Sequence, residues 1–320
     1  MIRVATYNLY LGADLALLFG ATDPVSLAER VAEVRAQLAA TRFEERAVAL
    51  ARVLGRERPD VVGLQEVARW STAPLGPDGS RGEETVHADF LPTLLAALED
   101  AGCRYDAHAA NLNFSGGLGV GNGTWMGVSG ANVTLVRADA GLTVTAEHTG
   151  GFRDTHDVVT AMPGVVFPVA RSWGAVEVTH DGRRLLVVNT HTEAYDKATR
   201  DAQRDELLSV LRDVPLPVVL VGDLNATADE VGVPAPYVDA WTVAAAATDG
   251  NGLTSGQRGD LANPESLLHG RIDYVFVRGA RVMACRTVGD RPEDRTPGGL
   301  WPSDHAGVVA DIELAAGAVR

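Results

Sequence analysis

Four apolar runs in this chain stop on a residue that carries an oxygen or an imidazole, and a fifth segment of the same kind stands directly before another apolar run. They read Arg3-Val-Ala-Thr-Tyr-Asn8, Val61-Val-Gly-Leu-Gln-Glu66, Leu185-Leu-Val-Val-Asn-Thr-His191, Val218-Val-Leu-Val-Gly-Asp223-Leu-Asn225 and Ser303-Asp304-His305. A run rich in β-branched residues and leucine that halts at a carboxylate has the pattern of a buried strand delivering a polar side chain to one rim of a sheet. A chain with several such runs must fold around strands.

What lies between the runs sets the fold class. Ser26 is the expected N-cap of a first helix, with Glu29 completing a capping box and Leu27, Val31, Val34 and Leu38 following at helical spacing. A second helical stretch passes Val48, Leu50 and Leu54, and Pro59 closes it before a strand over 60–65 that Glu66 terminates. Residues 68–85 read as a polar loop, 88–101 as a helix and 104–109 as a strand. Residues 112–130 are dense in glycine yet carry Phe114, Trp125 and Met126, which predicts a mobile loop over a site. Strands over 131–136 and 142–147 precede an irregular stretch, 150–168.

The second half reads as a hairpin of 173–179 with 184–189 around Asp181-Gly182, then a helix over Lys197–Leu211 and a strand over 218–221. A hairpin of 272–277 with 281–286 turns at Gly279, and Gly307–Leu314 is the last strand. Hairpins mixed with helical crossovers predict an α/β fold of two stacked mixed sheets with helices outside. No repeat or compositional shift divides the chain, so residues 1–320 are expected to form one domain.

Bulk properties narrow the function classes. Hydrophobic residues make up 46%, enough for a sizeable core, and the formal net charge of -14 comes with no Lys/Arg tract. Sequence-independent grip on nucleic acid is therefore poorly supported, although a bound divalent ion would add local positive charge. Cys103 and Cys285 lack Cys-x-x-Cys spacing and read as free buried thiols, with a disulfide between them left open. The start of the chain has no basic-then-apolar leader, and no apolar stretch could cross a bilayer. The expectation is a cytoplasmic protein, though a secreted form with its leader removed would read the same. Oligomeric state is not legible.

Asp223 and Asn225, two apart in an extended segment, present a carboxylate and an amide on one side. Asp304 and His305 place a carboxylate beside an imidazole, and Asp273 in Arg271-Ile-Asp273-Tyr is suited to hold a histidine in one tautomer. There is no Gly-x-Ser-x-Gly elbow and no His-Glu-x-x-His zinc motif. The oxygen-rich set Asn8, Glu66, Asp223, Asn225 and Asp304 suits Mg²⁺ or Mn²⁺, with Ca²⁺ also compatible, better than zinc.

Taken together, Thr6-Tyr-Asn8, Gln65-Glu66, Asn189-Thr-His191, Gly222-Asp-Leu-Asn225, Arg271-Ile-Asp273-Tyr and Ser303-Asp-His305 resemble, in order, the motifs of the endonuclease/exonuclease/phosphatase superfamily. That superfamily includes deoxyribonucleases, exonuclease III-like enzymes, neutral sphingomyelinases and inositol-polyphosphate 5-phosphatases. The resemblance implies a four-layered α/β sandwich with its site at one end of the sheets. It implies Glu66 as main metal ligand with Asn8 and Asp304 nearby, and Asp223 to orient or deprotonate the attacking water. Asn225 would hold water or phosphate, while His191 and His305, the latter held by Asp273, would serve the phosphoryl oxygens and the leaving group. Arg171 is placed for a phosphate contact or is an ordinary surface arginine. Trp70, Trp125 and Trp301 are expected either to wall a substrate pocket or to pack under loops. The expected activity is hydrolysis of a small or lipid-derived phosphate ester. A metal-dependent nuclease and a non-catalytic binding protein of the same fold are the alternatives.

Overall fold

In the computed structural model, residues 1–163, 166–244 and 251–314 are described. Strand Ile2–Asn8 lies parallel to Val61–Pro74 and antiparallel to Gly307–Leu314 inside a seven-stranded sheet. Strand Arg183–His191 lies parallel to Val218–Asp223 inside a six-stranded sheet, flanked by Ser172–His180 and Asp273–Arg278. Each sheet thus has a central parallel pair, and the two pairs send their C-terminal ends toward the site.

Side-chain alternation shows how the sheets stack. Ile2, Val4 and Val61 meet Val187, Val219, Val221, Val275 and Val277 in a core between the sheets. The alternate residues Ala5, Tyr7, Val62 and Leu64 face outward, against helices Pro24–Thr41, Phe43–Glu57 and Phe90–Asp100. On the other side Val188, Val218, Leu220 and Phe276 pack under helix Lys197–Leu211 through Leu207 and Leu211. The result is helix, sheet, sheet, helix: the expected four-layered α/β sandwich.

Gly63 sits at a close approach of the two sheets. A Cβ there would lie 2.5 Å from Val221 Cγ2 and 2.9 Å from the Asn189 amide. Gly63→Ala is expected to destabilise by about 1–3 kcal/mol, because neither sheet can retreat without opening the core. Denaturant unfolding of the variant measures this, and an unchanged midpoint would contradict it.

Five local expectations are corrected. The expected hairpin of 272–277 with 281–286 does not form: Asp273–Arg278 pairs with Val218–Asp223 in the six-stranded sheet and Ala280–Val288 pairs with Gly307–Leu314 in the other, so the chain crosses between sheets at Gly279. The first helix is capped by Asp23, whose side chain accepts from the N–H groups of Val25 and Ser26; Pro24 starts the helix and Ser26 is the third residue inside it. Proline lacks the N–H that the first turn cannot use, so the start moves upstream. The expected loop 68–85 is largely strand, because Val61–Pro74 runs on to pair with Thr85–Asp89. The expected mobile loop 112–130 is a long hairpin, Tyr105–Gly119 with Thr124–Arg137. Three of its strand glycines lie under rings: the Trp125 ring covers the register pair Gly117 and Gly127, and Phe114 covers Gly130. Rings that fill the space left by glycines make a strand of a segment whose local propensity argues against one. Within 150–168, strand Thr143–Gly151 extends to Gly151 and His156–Val159 pairs with Val166–Val169, while 164–165 lie outside the described residues.

Cys103 and Cys285 are free and buried. No helix among the described residues is long and apolar enough to cross a membrane.

Candidate active site

The inter-sheet layer is apolar at one end and polar at the other, because each inward-facing row of side chains changes character at its C-terminal tip. Val4 gives way to Thr6 and Asn8, Val61 to Gly63 and Gln65, Val187 to Asn189 and His191, and Val221 to Asp223. Amides join the sheets there: Gln65 Nε2 donates to Asn189 Oδ1 at 2.7 Å, and Asn189 Nδ2 donates to the carbonyls of Leu64 and Val133. Strand register then sets His191 beside Asp223 and Asp223 beside Asp273, a row across three strands.

Asp223 is the centre of the cluster. Its Oδ2 accepts from Asn8 Nδ2 at 3.0 Å, and its Oδ1 accepts from the backbone N–H of Asn225 at 2.9 Å. The imidazole Nε2 atoms of His191 and His305 lie 3.6 and 3.9 Å from Asp223 Oδ2. His305 Nδ1 is 2.8 Å from Asp273 Oδ2, which fixes the ring. Asn225, in a left-handed conformation at φ 46°, donates its side-chain amide to the Thr192 carbonyl.

Burial and charge act against each other in this cluster. Burial raises the Asp223 carboxyl well above the usual range, the Asp273 charge raises it further, and His305 pulls it back. Burial would lower His305, but Asp273, Asp304 and Asp223 outweigh it and hold the imidazolium. His191 goes the other way: burial, then Arg171 and His305, keep it neutral. Two histidines near one carboxylate are therefore set to opposite protonation states.

Glu66 reaches the site through an irregularity. Alternation would turn it outward with Val62 and Leu64, but a β-bulge between Leu64 and Val67 and a φ of 54° at Glu66 redirect it. Strand Val61–Pro74 continues beyond it, so Glu66 is a bulge residue and not the strand terminus the sequence predicts. Its Oε2 accepts from the Leu11 N–H at 2.8 Å, and among the described residues nothing donates to Oε1. Asp304 shares the cleft with it, and burial followed by the Glu66 charge raises the Asp304 carboxyl to about 6 against the pull of His305.

Two donor groups could hold a cation. Asp223, Asp273 and His305 bring ligand atoms within 4.8 Å of one another. There, however, Asp273 Oδ2 is spent on His305 Nδ1. Glu66 and Asp304 line the open cleft, with no Lys or Arg among the described residues paired to either and only the His305 ring 4.0 Å from Asp304, the better match to a hard divalent ion. Asn8 stands beside them with both ends of its amide engaged, Oδ1 by the Tyr10 N–H and Nδ2 by Asp223.

The cleft itself holds about 340 Å³ and is bordered by Glu66, Asp304, Arg171 and His191. Arg171 is buried, its Nη1 3.2 Å from the His191 ring nitrogens, and its Nε has no hydrogen-bond partner among the described residues. It is not the surface arginine that the sequence also allows. Trp70 lies at the cleft floor and donates to the Leu11 carbonyl. Trp301 is fully buried, donating to the Asn263 carbonyl, and Trp125 lies over the hairpin glycines with Arg81 on its ring; neither lines the cleft.

A sequence profile of the Endonuclease/Exonuclease/phosphatase family matches residues 5–305. The chain belongs to that family. Members are hydrolases acting on phosphate esters and generally use divalent metals. No curated protein matches the chain significantly by sequence. Among solved structures, a family protein from Leptotrichia buccalis superposes with a TM-score of 0.59 at 16% identity, covering 98% of this chain and 100% of that one. A humanized D. rerio TDP2 gives 0.58 at 16%, over 98% of each chain. A mannosyl-6-phosphatase of Bacteroides thetaiotaomicron gives 0.56 at 19%, over 98% and 99%. These likenesses show the fold.

Reading the sequence for this family's motifs missed two parts of the site. One is Arg46, buried beneath it, whose guanidinium donates to the carbonyls of Thr41, Leu9, Pro302 and Tyr10. The other is most of the aromatic wall of the cleft. Arg46 carries a signal, a lone arginine on the apolar side of helix Phe43–Glu57; of the wall, Trp70 and Phe114 are flagged by sequence, whereas Tyr10, Phe19, Phe167 and Tyr195 carry no sign that they meet there.

Proposed function

We propose that this family member is a divalent-metal-dependent phosphoesterase acting on a small or lipid-derived phosphate ester, its catalytic domain spanning both sheets. The observation that supports this most is Asp223 held by Asn8 and Asn225 with two imidazoles within 4 Å of Oδ2. Glu66 and Asp304, with Asn8 beside them, would hold Mg²⁺, Mn²⁺ or Ca²⁺. When bound, that ion supplies positive charge against the phosphoryl oxygens and makes water a better nucleophile.

The chain's own residues supply the rest. Asp223 orients a water for in-line attack and takes its proton as the oxygen joins phosphorus. The ester P–O bond breaks opposite, and the His305 imidazolium, fixed by Asp273, gives its proton to the departing oxygen. Neutral His191 and Arg171 hydrogen-bond the phosphoryl oxygens, and Asn225 keeps the Asp223 loop in its left-handed turn. The reading of a non-catalytic binding protein is disfavoured by the convergence of Asp223, His191, His305 and Asp273 in one cluster.

A panel of phosphate mono- and diesters, DNA, RNA and phospholipids, run with each metal and with EDTA, tests this. Turnover of small esters that EDTA removes is the expected result, and Glu66→Gln is expected to weaken Mn²⁺ binding at least about tenfold by calorimetry. Release of acid-soluble nucleotides from DNA faster than turnover of any small ester would favour the nuclease reading. The net charge of -14 weighs against it.

A further inference from the structure

The catalytic end of the cleft is charged, but its body is aromatic. Six of the chain's eighteen aromatic residues line it: Tyr10, Phe19, Trp70, Phe114, Phe167 and Tyr195. Phe19 anchors one wall, its ring 5.5 Å from both Phe167 and Tyr195. The facing wall is the long hairpin, where Phe114 lies over Gly130. The one cation-bearing side chain among the described lining residues, Arg171, stands at one end beside His191, its buried Nε 3.7 Å from the Glu193 carboxylate. We infer that this cleft is a subsite for a compact aryl group, so that the protein acts on phosphate esters carrying an aromatic ring next to phosphorus. The inference rests on the phosphoesterase reading for its chemistry and on the cleft alone for its specificity.

Size and charge select this occupant over others. A dry cavity of about 150 Å³ accepts one benzene ring, so 340 Å³ has room for a ring and its phosphate. A long acyl chain would leave most of its length in water. A polyanionic strand would find Arg171 as the one cationic side chain among the described lining residues, with Asp14, Glu66 and Asp304 opposing it. A sugar would set several of its hydroxyls against rings that cannot satisfy them, with Asn113, Ser115 and Gln257 the only amide or hydroxyl side chains besides the tyrosines among the described lining residues. An aromatic ring gains from edge and face contacts with Phe19 and Phe167 and loses nothing polar.

Equilibrium binding of phosphonates tests the inference without turnover, because the C–P bond resists hydrolysis. Titration calorimetry in Mg²⁺ would compare phenylphosphonate, methylphosphonate and octylphosphonate on the whole chain. Phenylphosphonate is expected to bind at least about tenfold more tightly than methylphosphonate. Phe19→Ala and Phe167→Ala should each shrink that ratio by about fivefold. Phe167→Leu, which keeps the bulk and loses the ring, gives the same reading if the alanine variant does not fold. Val159→Ser, exposed and outside the cleft, should leave the ratio unchanged. Equal affinity for phenyl and methyl, or an octyl group preferred to phenyl, would overturn the aryl subsite. Phenyl preference without hydrolysis of any ester would leave the subsite standing and remove the hydrolase reading. Ester hydrolysis with no phenyl preference would do the reverse.

Discussion

Asp223→Asn is expected to lower kcat by about a thousandfold, the range for loss of a general base, while the fold survives. The amide keeps the shape of the carboxylate but cannot take a proton from water. Structurally the exchange is nearly neutral. It removes a charge that burial and Asp273 both disfavour, yet it sets an NH₂ group against either Asn8 Nδ2 or the Asn225 N–H, both of which are donors. These effects oppose, so stability should change by no more than about 1 kcal/mol. Steady-state rates on a chromogenic ester and a thermal melt of the same preparation measure both. A kcat within tenfold of the parent would remove Asp223 from the role of base.

Arg46→Ala is the second large effect, and it falls on stability. Arg46 is fully buried, with its guanidinium 4.9 Å from the Phe43 ring centroid and 5.6 Å from that of Phe90. Burial lowers it to about 10, which still leaves it charged at neutral pH. Its donors satisfy carbonyls at Leu9 and Tyr10, just past Asn8, and at Pro302, just before Ser303 and Asp304. One side chain thus ties together the exits of two segments that carry site residues. Alanine leaves a cavity and at least three buried carbonyls without donors, a loss on the order of 4 kcal/mol and roughly 10 °C in Tm. Lysine should recover only part, because an ammonium lacks the planar fork that reaches several carbonyls at once. An alanine variant melting at the parent temperature would show that these bonds stabilise nothing.

Much of this molecule can be read from its residues. Alternation in Ile2–Asn8 and Val218–Asp223 separates an inward row from an outward one, and helix Lys197–Leu211 and strand Gly307–Leu314 begin and end where spacing places them. Asn8, Asp223 and His191 are visible because each ends an inward row. Glu66 is visible as a residue but not as a geometry. Its parity points it at the helices, and only the bulge turns it to the cleft.

The glycine-rich middle of the hairpin over 105–137 was illegible for a different reason, although its two outer ends read as strands. Glycine lowers strand propensity residue by residue, and what restores the strand is a ring laid over the glycine only once the hairpin has paired, as Phe114 over Gly130 and Trp125 over Gly117. The aromatic cleft has the same origin. Phe19, Phe114, Phe167 and Tyr195 lie on four segments with no common period, so nothing in their order announces that they meet. Short-range pattern, fixed by the strand and helix repeats, determined which residues are buried and which rows end in polar groups. Long-range packing alone decided where Glu66 points, what Arg46 holds and which rings line the cleft, because those depend on contacts between segments far apart in the chain.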